Sequence, residues 1–418
     1  MKHLLLFTFI FILPLLVSTG VDAYEFPKFV FLLVSAFTLG IFSAAYKFEK
    51  NKLSSLKIDA LSKLVISFLI INLLADFAGI DPQNSIMGSY YRHQGFLTLL
   101  SGAILFFVVN SSVYNSKSIL LFGKVALFSA LFISLIAIAQ TFQINFLNNF
   151  NIPTYQDRIV GTFGNPNFLA GYLVMLLPLI FLVKQKTNKK YLFLKILTTF
   201  AVILTIFLTD SRATYIAIGV LLLIYFVRLL FGLRIPKIIT GACIVLVVLE
   251  LFQFANLFIF KNTIFKESPP VVKERGCPES WPKTYPLKII TDVYSIKPYV
   301  KREALCDNRL LIWAVGLETL IKRPLLGYGQ ENFEASIPSG KMHFVDNSHN
   351  IFLEAGMSSG LLGLFFYFAI ITYALVKATL IIKFSLISFL IIGVFNPLSI
   401  AQISLFWVLI GFSQKKLS

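Results

Sequence analysis

The feature that most constrains this chain is a succession of apolar runs, each about 17–25 residues long. As a helix, such a run spans the ~30 Å hydrocarbon core of a bilayer. Because 57% of the residues are hydrophobic and only 14% are charged, the chain has too few charged side chains to cover a soluble surface. The sequence therefore predicts an all-α polytopic membrane protein.

The apolar runs predict twelve transmembrane helices, with one large polar segment interrupting them. The predicted spans are 4–19, 29–46, 61–78, 96–113, 119–141, 167–183, 192–208, 212–231, 237–260, 349–373, 378–395 and 398–412. The chain thus divides into residues 1–260 with helices 1–9, a loop with short helices over 261–348, and residues 349–418 with helices 10–12. The first run follows Met1-Lys2-His3, and a cleaved signal peptide is its alternative interpretation.

Basic residues indicate which side of the membrane each connection occupies. They cluster in the connections near 47–63, 184–195 and 228–237, and at Lys415 and Lys416. The positive-inside rule assigns these connections and both chain ends to the cytoplasm. The loop 261–348 then lies outside. The net charge of +17 is a topology signal and gives no reason to expect nucleic acid as a partner.

Two of the three cysteines, Cys277 and Cys306, lie in the predicted outer loop. In an oxidising compartment they can form a disulfide, and the alternative is two free thiols. Cys243 lies within a predicted span and is interpreted as a small core residue.

Two arginines on the predicted outer face open helices. Arg212 follows a tight turn in which Asp210 or Ser211 is the predicted N-cap, and Arg309 follows Asp307-Asn308 in the same way. An arginine and the free amides of a helix start can bind one anion together. The alternatives are a snorkelling Arg212 in the head-group region and a solvated Arg309.

The helix that Arg309 opens is predicted to be amphipathic and to end before Pro324. The residues predicted to share its apolar face are Leu310, Trp313, Leu317, Leu320 and Ile321. A helix with this stripe lies on the membrane surface or on the outer ends of the spans.

His349 stands at the start of the tenth span, where Asn347 or Ser348 is the predicted cap. A histidine at this position can act as a general base, or it can be an interfacial residue with a structural role. Arginine's planar fork matches phosphate oxygens. Arginines and a histidine on one outer face therefore favour chemistry on a phosphorylated lipid. The sequence has no acidic cluster with metal-ligand spacing on that face and no P-loop, so we expect neither a metal nor a cofactor.

Four segments of the chain form a set of short motifs. His349-Asn350 is followed, after nine residues, by Gly360 and Gly363. The other three are Leu-Thr-Asp-Ser-Arg-Ala at 208–213, Asn-Arg-Leu-Leu-Ile-Trp at 308–313 and Arg-Pro-Leu-Leu-Gly-Tyr-Gly-Gln-Glu-Asn-Phe at 323–333. Each motif alone is weak, but in their order and shared sidedness they resemble the O-antigen ligase/polymerase family.

The resemblance implies a GT-C-like membrane glycosyltransferase of the bacterial cytoplasmic membrane, with its active site facing outward. It would transfer a glycan from undecaprenyl diphosphate to lipid A-core or another hydroxyl-bearing acceptor, without metal. By motif, Arg212 and Arg309 correspond to diphosphate-contacting arginines and His349 to the functional histidine, and these three are the catalytic candidates. The further substrate-binding candidates are Arg92, Arg158, Asn165, Asn350, Gly360 and Gly363.

Three alternative functions remain open. A polymerase of repeat units and a protein O-oligosaccharyltransferase belong to the same family and share its motifs. A transporter or flippase belongs to another class. Transporters usually place ionisable groups near mid-membrane in repeated, broken helices, whereas the candidates here lie at the predicted outer boundary.

Overall fold

The computed structural model describes residues 9–19, 22–49, 58–112, 114–142, 158–183, 189–231, 284–286, 299–301, 309–337 and 345–415. A 3-10 turn at Leu13–Leu15 comes first. The elements before the long polar segment are α1 (Glu25–Glu49), α2 (Ala60–Ala78), α3 (Pro82–Met87), α4 (Phe96–Asn110), α5 (Ser116–Thr141), α6 (Pro166–Ile180), α7 (Lys189–Thr209) and α8 (Arg212–Leu230). The later elements are β1 (Thr284–Pro286), β2 (Tyr299–Lys301), α9 (Arg309–Lys322), α10 (Phe333–Ser336), α11 (Ile351–Lys377), α12 (Leu380–Phe395) and α13 (Ile400–Phe412).

The long helices confirm a multi-pass membrane protein. Each predicted span from 29–46 to 212–231, and each of the last three, coincides with a helix. Within the described residues, five helices are long and apolar enough to cross a membrane, and shorter apolar helices accompany them. The predicted span 237–260 lies outside the described residues, so the total of twelve stays a prediction.

The outer surface of the helices carries large apolar side chains. Ile41, Phe48, Phe200 and Leu223 are all more than half exposed. Contiguous apolar surface of this kind is unfavourable in water and favourable against lipid. The exposed faces of α1, α7 and α8 are therefore suited to lipid contact.

The last helices of the chain pack between the first ones. α11 packs on α2, α12 on α6 and α8, and α13 on α4. α6 and α13 are buried on nearly every side, as expected for helices that are apolar all round. This arrangement brings the loops before α4, α8, α11 and α13 to one end of the bundle, which we call the site end.

Within the described residues, the fold is all-helical as predicted, apart from one pair of three-residue strands in the loop before α9. β1 and β2 pair antiparallel, with Thr284 opposite Lys301 and Pro286 opposite Tyr299. The backbone groups of a segment outside the helices also need partners, and strand pairing supplies them. Cys277 and Cys306 lie outside the described residues, as does the predicted Asp307-Asn308 cap, and the division into 1–260, 261–348 and 349–418 stays a prediction.

The apolar face of α9 differs in part from the predicted one. Ile312, Val315 and Leu320 are buried, and they form a small core with Leu353 and Met357 of α11. The predicted face members Leu317 and Ile321 are instead exposed. The prediction of one apolar face was wrong because the helix has two apolar sides. One side packs on α11, and the other is exposed.

α11 is broken at Ser359 and Gly360, where the backbone leaves helical geometry. The segment after α9 fills the break. The backbone N–H groups of Tyr328 and Leu361 donate to Met357 O at 2.8 Å and Pro324 O at 2.7 Å. A Cβ at Gly360 would lie 2.2 Å from Leu325 O. The break divides α11 into a short outer part, residues 351–358, and a long inner part.

Candidate active site

The loop before α11 is anchored by an ion pair with the loop before α4. Arg92 Nε lies 2.5 Å from Asp346 Oδ2, and Arg92 Nη2 lies 2.9 Å from Asp346 Oδ1. Arg92 is buried. Burial alone would raise the pKa of Asp346, but the Arg92 guanidinium holds that pKa below its ordinary value. This two-point contact fixes the chain three residues before His349.

His349 sits in a tightly bonded turn. Its backbone N–H donates to Asn347 Oδ1 at 2.7 Å, and the N–H of Ser348 donates to a Glu354 carboxylate oxygen at 2.9 Å. The N-cap of α11 is Asn350, whose Oδ1 accepts from the N–H groups of Phe352 and Leu353. The predicted caps Asn347 and Ser348 were therefore wrong, because both belong to the turn that positions His349.

Burial and neighbouring charges keep the His349 ring neutral. Burial, followed by the positive charge of Arg92, lowers the pKa of His349 to about 4, with a further contribution from Arg309. Asp346 opposes this shift. A neutral ring can accept a proton, and this is the state that a general base requires.

The pH dependence of activity follows from this shift. The profile of kcat/KM reports titration in the free enzyme, so we expect its acid limb near pH 4 and not near 6.5. The measurement is kcat/KM for the reaction expected from the sequence, between about pH 3 and 8. An acid limb near pH 6.5 that disappears in His349→Asn would contradict this assignment.

The same shift has a consequence for stability. The unfolded chain takes up the histidine proton near pH 6.5, and the folded chain takes it up only near pH 4. Stability from the neutral ring is therefore present above pH 6.5 and is lost as the pH falls from 6.5 toward 4. His349→Asn removes this contribution and serves as the matched control.

Arg158 holds the turn that precedes Arg212. Its Nε donates to Thr209 O at 2.8 Å, and its Nη2 donates to Asp210 O at 2.8 Å. These bonds use carbonyls at the carboxyl end of α7, which have no partner within the helix. Asp210 has a positive φ of 47°. Arg158 thus positions Arg212 through the backbone, and contact with substrate stays a proposal.

Arg212 and Arg309 lie within electrostatic range of each other. Burial, and then the charge of Arg212, lowers the pKa of Arg309. Arg309 Nη2 donates to Asn396 Oδ1 at 3.1 Å, and Arg212 is exposed. In the described part of the chain, neither arginine forms an ion pair. Two neighbouring guanidinium groups without a carboxylate are suited to an external anion with several oxygens.

The remaining candidates have local roles in the fold. Asn165 caps α6, its Oδ1 accepting from Asn167 N at 2.8 Å, with Pro166 in the first turn, and this confirms the predicted helix start. Gly360 lies at the break in α11, and Gly363 lies against the Ser359 side chain. These close contacts explain why both positions are occupied by glycine. A contact with substrate stays a proposal for Asn165, Gly360 and Gly363.

Strained backbone marks the same end of the bundle. The non-glycine residues with positive φ are, within the described residues, His93, Asp210, Glu331 and His349. His93 follows Arg92, and Asp210 lies two residues before Arg212. Glu331 lies near the Arg92–Asp346 pair, and His349 belongs to the turn before α11. Such conformations cost of order 1–3 kcal/mol each and cluster at functional sites.

Sequence reasoning missed the carboxylates of the site. Asp346 pairs with Arg92, and Glu331 accepts hydrogen bonds from the N–H and hydroxyl of Ser89. Burial raises the pKa of Glu331, and Arg92 opposes that rise. The sequence signal that could have indicated Glu331 was its position within the motif at 323–333. Within the residues that the structure describes, no group of three or more His, Cys, Asp or Glu side chains is arranged to hold a metal ion.

A family model described as O-antigen ligase matches residues 197–368. Over these residues, the chain is similar to the O-antigen ligase family. The matched segment includes Arg212, Arg309 and His349, and it ends within α11. No curated protein matches the chain. This similarity supports a glycosyltransferase-like membrane enzyme that acts on a lipid-linked glycan and an acceptor.

Proposed function

We propose that this protein transfers a glycan from undecaprenyl diphosphate to a hydroxyl-bearing surface lipid such as lipid A-core. The reaction takes place at the outer face of the bacterial cytoplasmic membrane, in a GT-C-like fold. The observation that carries the proposal is the pair Arg212 and Arg309, two neighbouring arginines without a carboxylate partner in the described residues. A diphosphate supplies the anionic oxygens that such a pair lacks.

Each catalytic group has one role in this reaction. The acceptor hydroxyl oxygen forms a bond to the anomeric carbon, and the bond from that carbon to the diphosphate oxygen breaks. The electron pair stays on the leaving diphosphate, whose growing charge Arg212 and Arg309 stabilise. The hydroxyl proton goes to the neutral ring of His349. A bound diphosphate raises the pKa of His349 because a nearby anion favours the protonated ring.

Arg92 and Arg158 support this chemistry from behind the reacting groups. Arg92 holds the His349 turn through Asp346, and Arg158 holds the Arg212 turn through backbone carbonyls. Positioning of this kind matters because a displacement of about 1 Å can lower a rate ~10²-fold.

Reconstitution of the purified chain tests the proposal. The chain is mixed with an undecaprenyl-diphosphate glycan and, separately, with lipid A-core, a second repeat unit or a pilin-type protein. We expect the glycan on lipid A-core, in equal yield with and without EDTA. Transfer to a repeat unit or to a protein would instead identify a polymerase or a protein O-oligosaccharyltransferase. Loss of activity in EDTA that returns with a divalent cation would contradict the metal-free mechanism.

A further inference from the structure

The loop before α6, residues 158–165, contacts the turn that precedes Arg212. Arg158, the first described residue of this loop, donates to two backbone carbonyls of that turn at 2.8 Å each. The position of its guanidinium therefore depends on how the rest of the loop is held. The side chains that hold the loop come from α1 and α5, which lie outside the segment 197–368 that the family model matches.

Gln140, near the end of α5, binds the backbone of this loop. The N–H groups of Val160 and Gly161 both donate to its Oε1, at 3.2 and 2.9 Å. Its Nε2 donates to Gly161 O at 3.4 Å. Because only the oxygen of an amide accepts hydrogen bonds, the two N–H donors fix the orientation of the side chain. One glutamine thus holds three backbone groups, two and three residues after Arg158.

Lys28 of α1 holds the next residue of the loop. Its Nζ donates to Thr162 O at 2.9 Å and to Tyr24 O at 2.7 Å, and the side chain is fully buried. Nζ also lies 5.4 Å from the centre of the Phe163 ring, within the range of a cation–π attraction. A buried ammonium group is unfavourable unless it is hydrogen-bonded, so the lysine and the loop carbonyl hold each other in place.

The turn before Arg212 depends on contacts of this kind for its conformation. Asp210 has a positive φ of 47°. A non-glycine residue in this region costs of order 1–3 kcal/mol and persists only where its surroundings hold it. Arg158 provides such a contact through the carbonyl of Asp210 itself. A shift of Arg158 would let the turn relax and would displace the exposed Arg212 with it.

We propose that Gln140 is a positioning residue for glycan transfer, acting on Arg212 through the loop 158–165 and Arg158. Lys28 fixes the neighbouring part of the same loop. The inference rests on the proposed glycosyltransferase function and deepens it. It assigns α1 and α5 a part in placing the cation that the leaving diphosphate meets.

Gln140→Met tests this role, because methionine fills a similar volume and cannot hold the two N–H groups. We expect kcat for transfer from an undecaprenyl-diphosphate glycan to fall by about 10–10²-fold, as for a displacement of about 1 Å, with the KM for the acceptor nearly unchanged. Gln140→Asn, whose side chain is too short for these contacts, should lose as much. Gln140→Glu keeps an acceptor oxygen and should restore most of the rate.

Two comparisons separate positioning from a general loss of stability. Gln414 donates to Asp59 at 3.1 Å at the opposite end of the bundle, so Gln414→Met makes the same substitution there and should transfer normally. In the Arg212→Ala background, Gln140→Met should not lower the residual rate further, because residues that act through one another are not additive. Thermal unfolding in detergent is measured for each variant, so that every rate refers to folded protein.

Hydrogen exchange of the full-length protein, measured by mass spectrometry of its peptides, reads the same link without transfer. Gln140→Met should speed exchange in the peptide 158–165. It should also speed exchange in the peptide 207–215, which contains the turn and the first hydrogen-bonded N–H groups of α8. Gln414→Met should change neither peptide.

Several results would overturn the positioning role of Gln140. They are an unchanged kcat in Gln140→Met, a loss that adds in full to that of Arg212→Ala, an equal loss in Gln414→Met or in Gln140→Glu, and faster exchange confined to 158–165. If exchange is coupled but the parent protein transfers no glycan to any acceptor, the proposed reaction fails and the structural link stands. Transfer by the parent protein without coupled exchange means the reverse.

Discussion

Arg212→Ala is expected to abolish glycan transfer, lowering kcat by about 10²–10³-fold. Arg212 is the first residue of α8, and its charge lowers the pKa of Arg309. It has no ion-pair partner in the described part of the chain. In the proposed reaction, its removal takes away charge that would stabilise the leaving diphosphate. Because the side chain is exposed, we expect the fold to be unaffected. The measurement is single-turnover transfer from an undecaprenyl-diphosphate glycan, together with thermal unfolding in detergent.

Two further variants serve as comparisons for Arg212→Ala. Arg212→Lys keeps the charge but loses the planar fork, so its rate should fall between those of the parent protein and Arg212→Ala. Arg228→Ala changes an arginine at the other end of the same helix and should transfer normally. Full activity of Arg212→Ala, or equal losses at Arg212 and Arg228, would remove Arg212 from the reaction centre.

Gly360→Ala should destabilise the protein and lower glycan transfer with it. The added Cβ would lie 2.2 Å from Leu325 O and 2.3 Å from Leu325 C, and φ at this position is +66°. The left-handed conformation alone costs about 1–2 kcal/mol for an alanine, and the contact with backbone atoms adds to that cost. The expected result is a clearly lower apparent Tm in detergent and lower glycan transfer.

Gly219→Ala is the matched control for Gly360→Ala. Gly219 lies within α8, and a Cβ there meets no atom within 4 Å. Alanine favours a helix over glycine by about 0.8–1 kcal/mol, so the Tm should stay equal or rise. An unchanged Tm in Gly360→Ala would mean that residues 324–329 and the break in α11 can separate without loss of stability.

The long apolar runs of the sequence predicted most of the helices. A run that crosses a bilayer has to pair its own backbone N–H and C=O groups, and a helix does so. The start of α6 at Asn165-Pro166 was predicted for a similar reason, since cap chemistry is local. The break at Ser359 and Gly360 could not be predicted, because it depends on backbone hydrogen bonds from Tyr328 and Leu361, one of which comes from a different segment.

The candidate arginines and the candidate histidine could be proposed from the sequence because each stands beside a recognisable helix start or motif. The residues that hold them were not. Asp346 and Asn396 act through contacts with Arg92 and Arg309, which lie far from them along the chain. Polar pairing between distant loops leaves no periodic signal, so only the folded chain reveals it.

The break in α11 also affects which substitutions the family segment can accept. The segment 324–329 holds the outer part of α11 through main-chain atoms, whereas the Leu325 side chain is exposed. Natural variation is therefore free to change the Leu325 side chain, because only its carbonyl takes part in the contact. Gly327 and Gly360 have no such freedom, since a Cβ at either one meets backbone atoms. The Leu325 side chain can thus vary while the outer part of α11, and His349 just before it, stay in place.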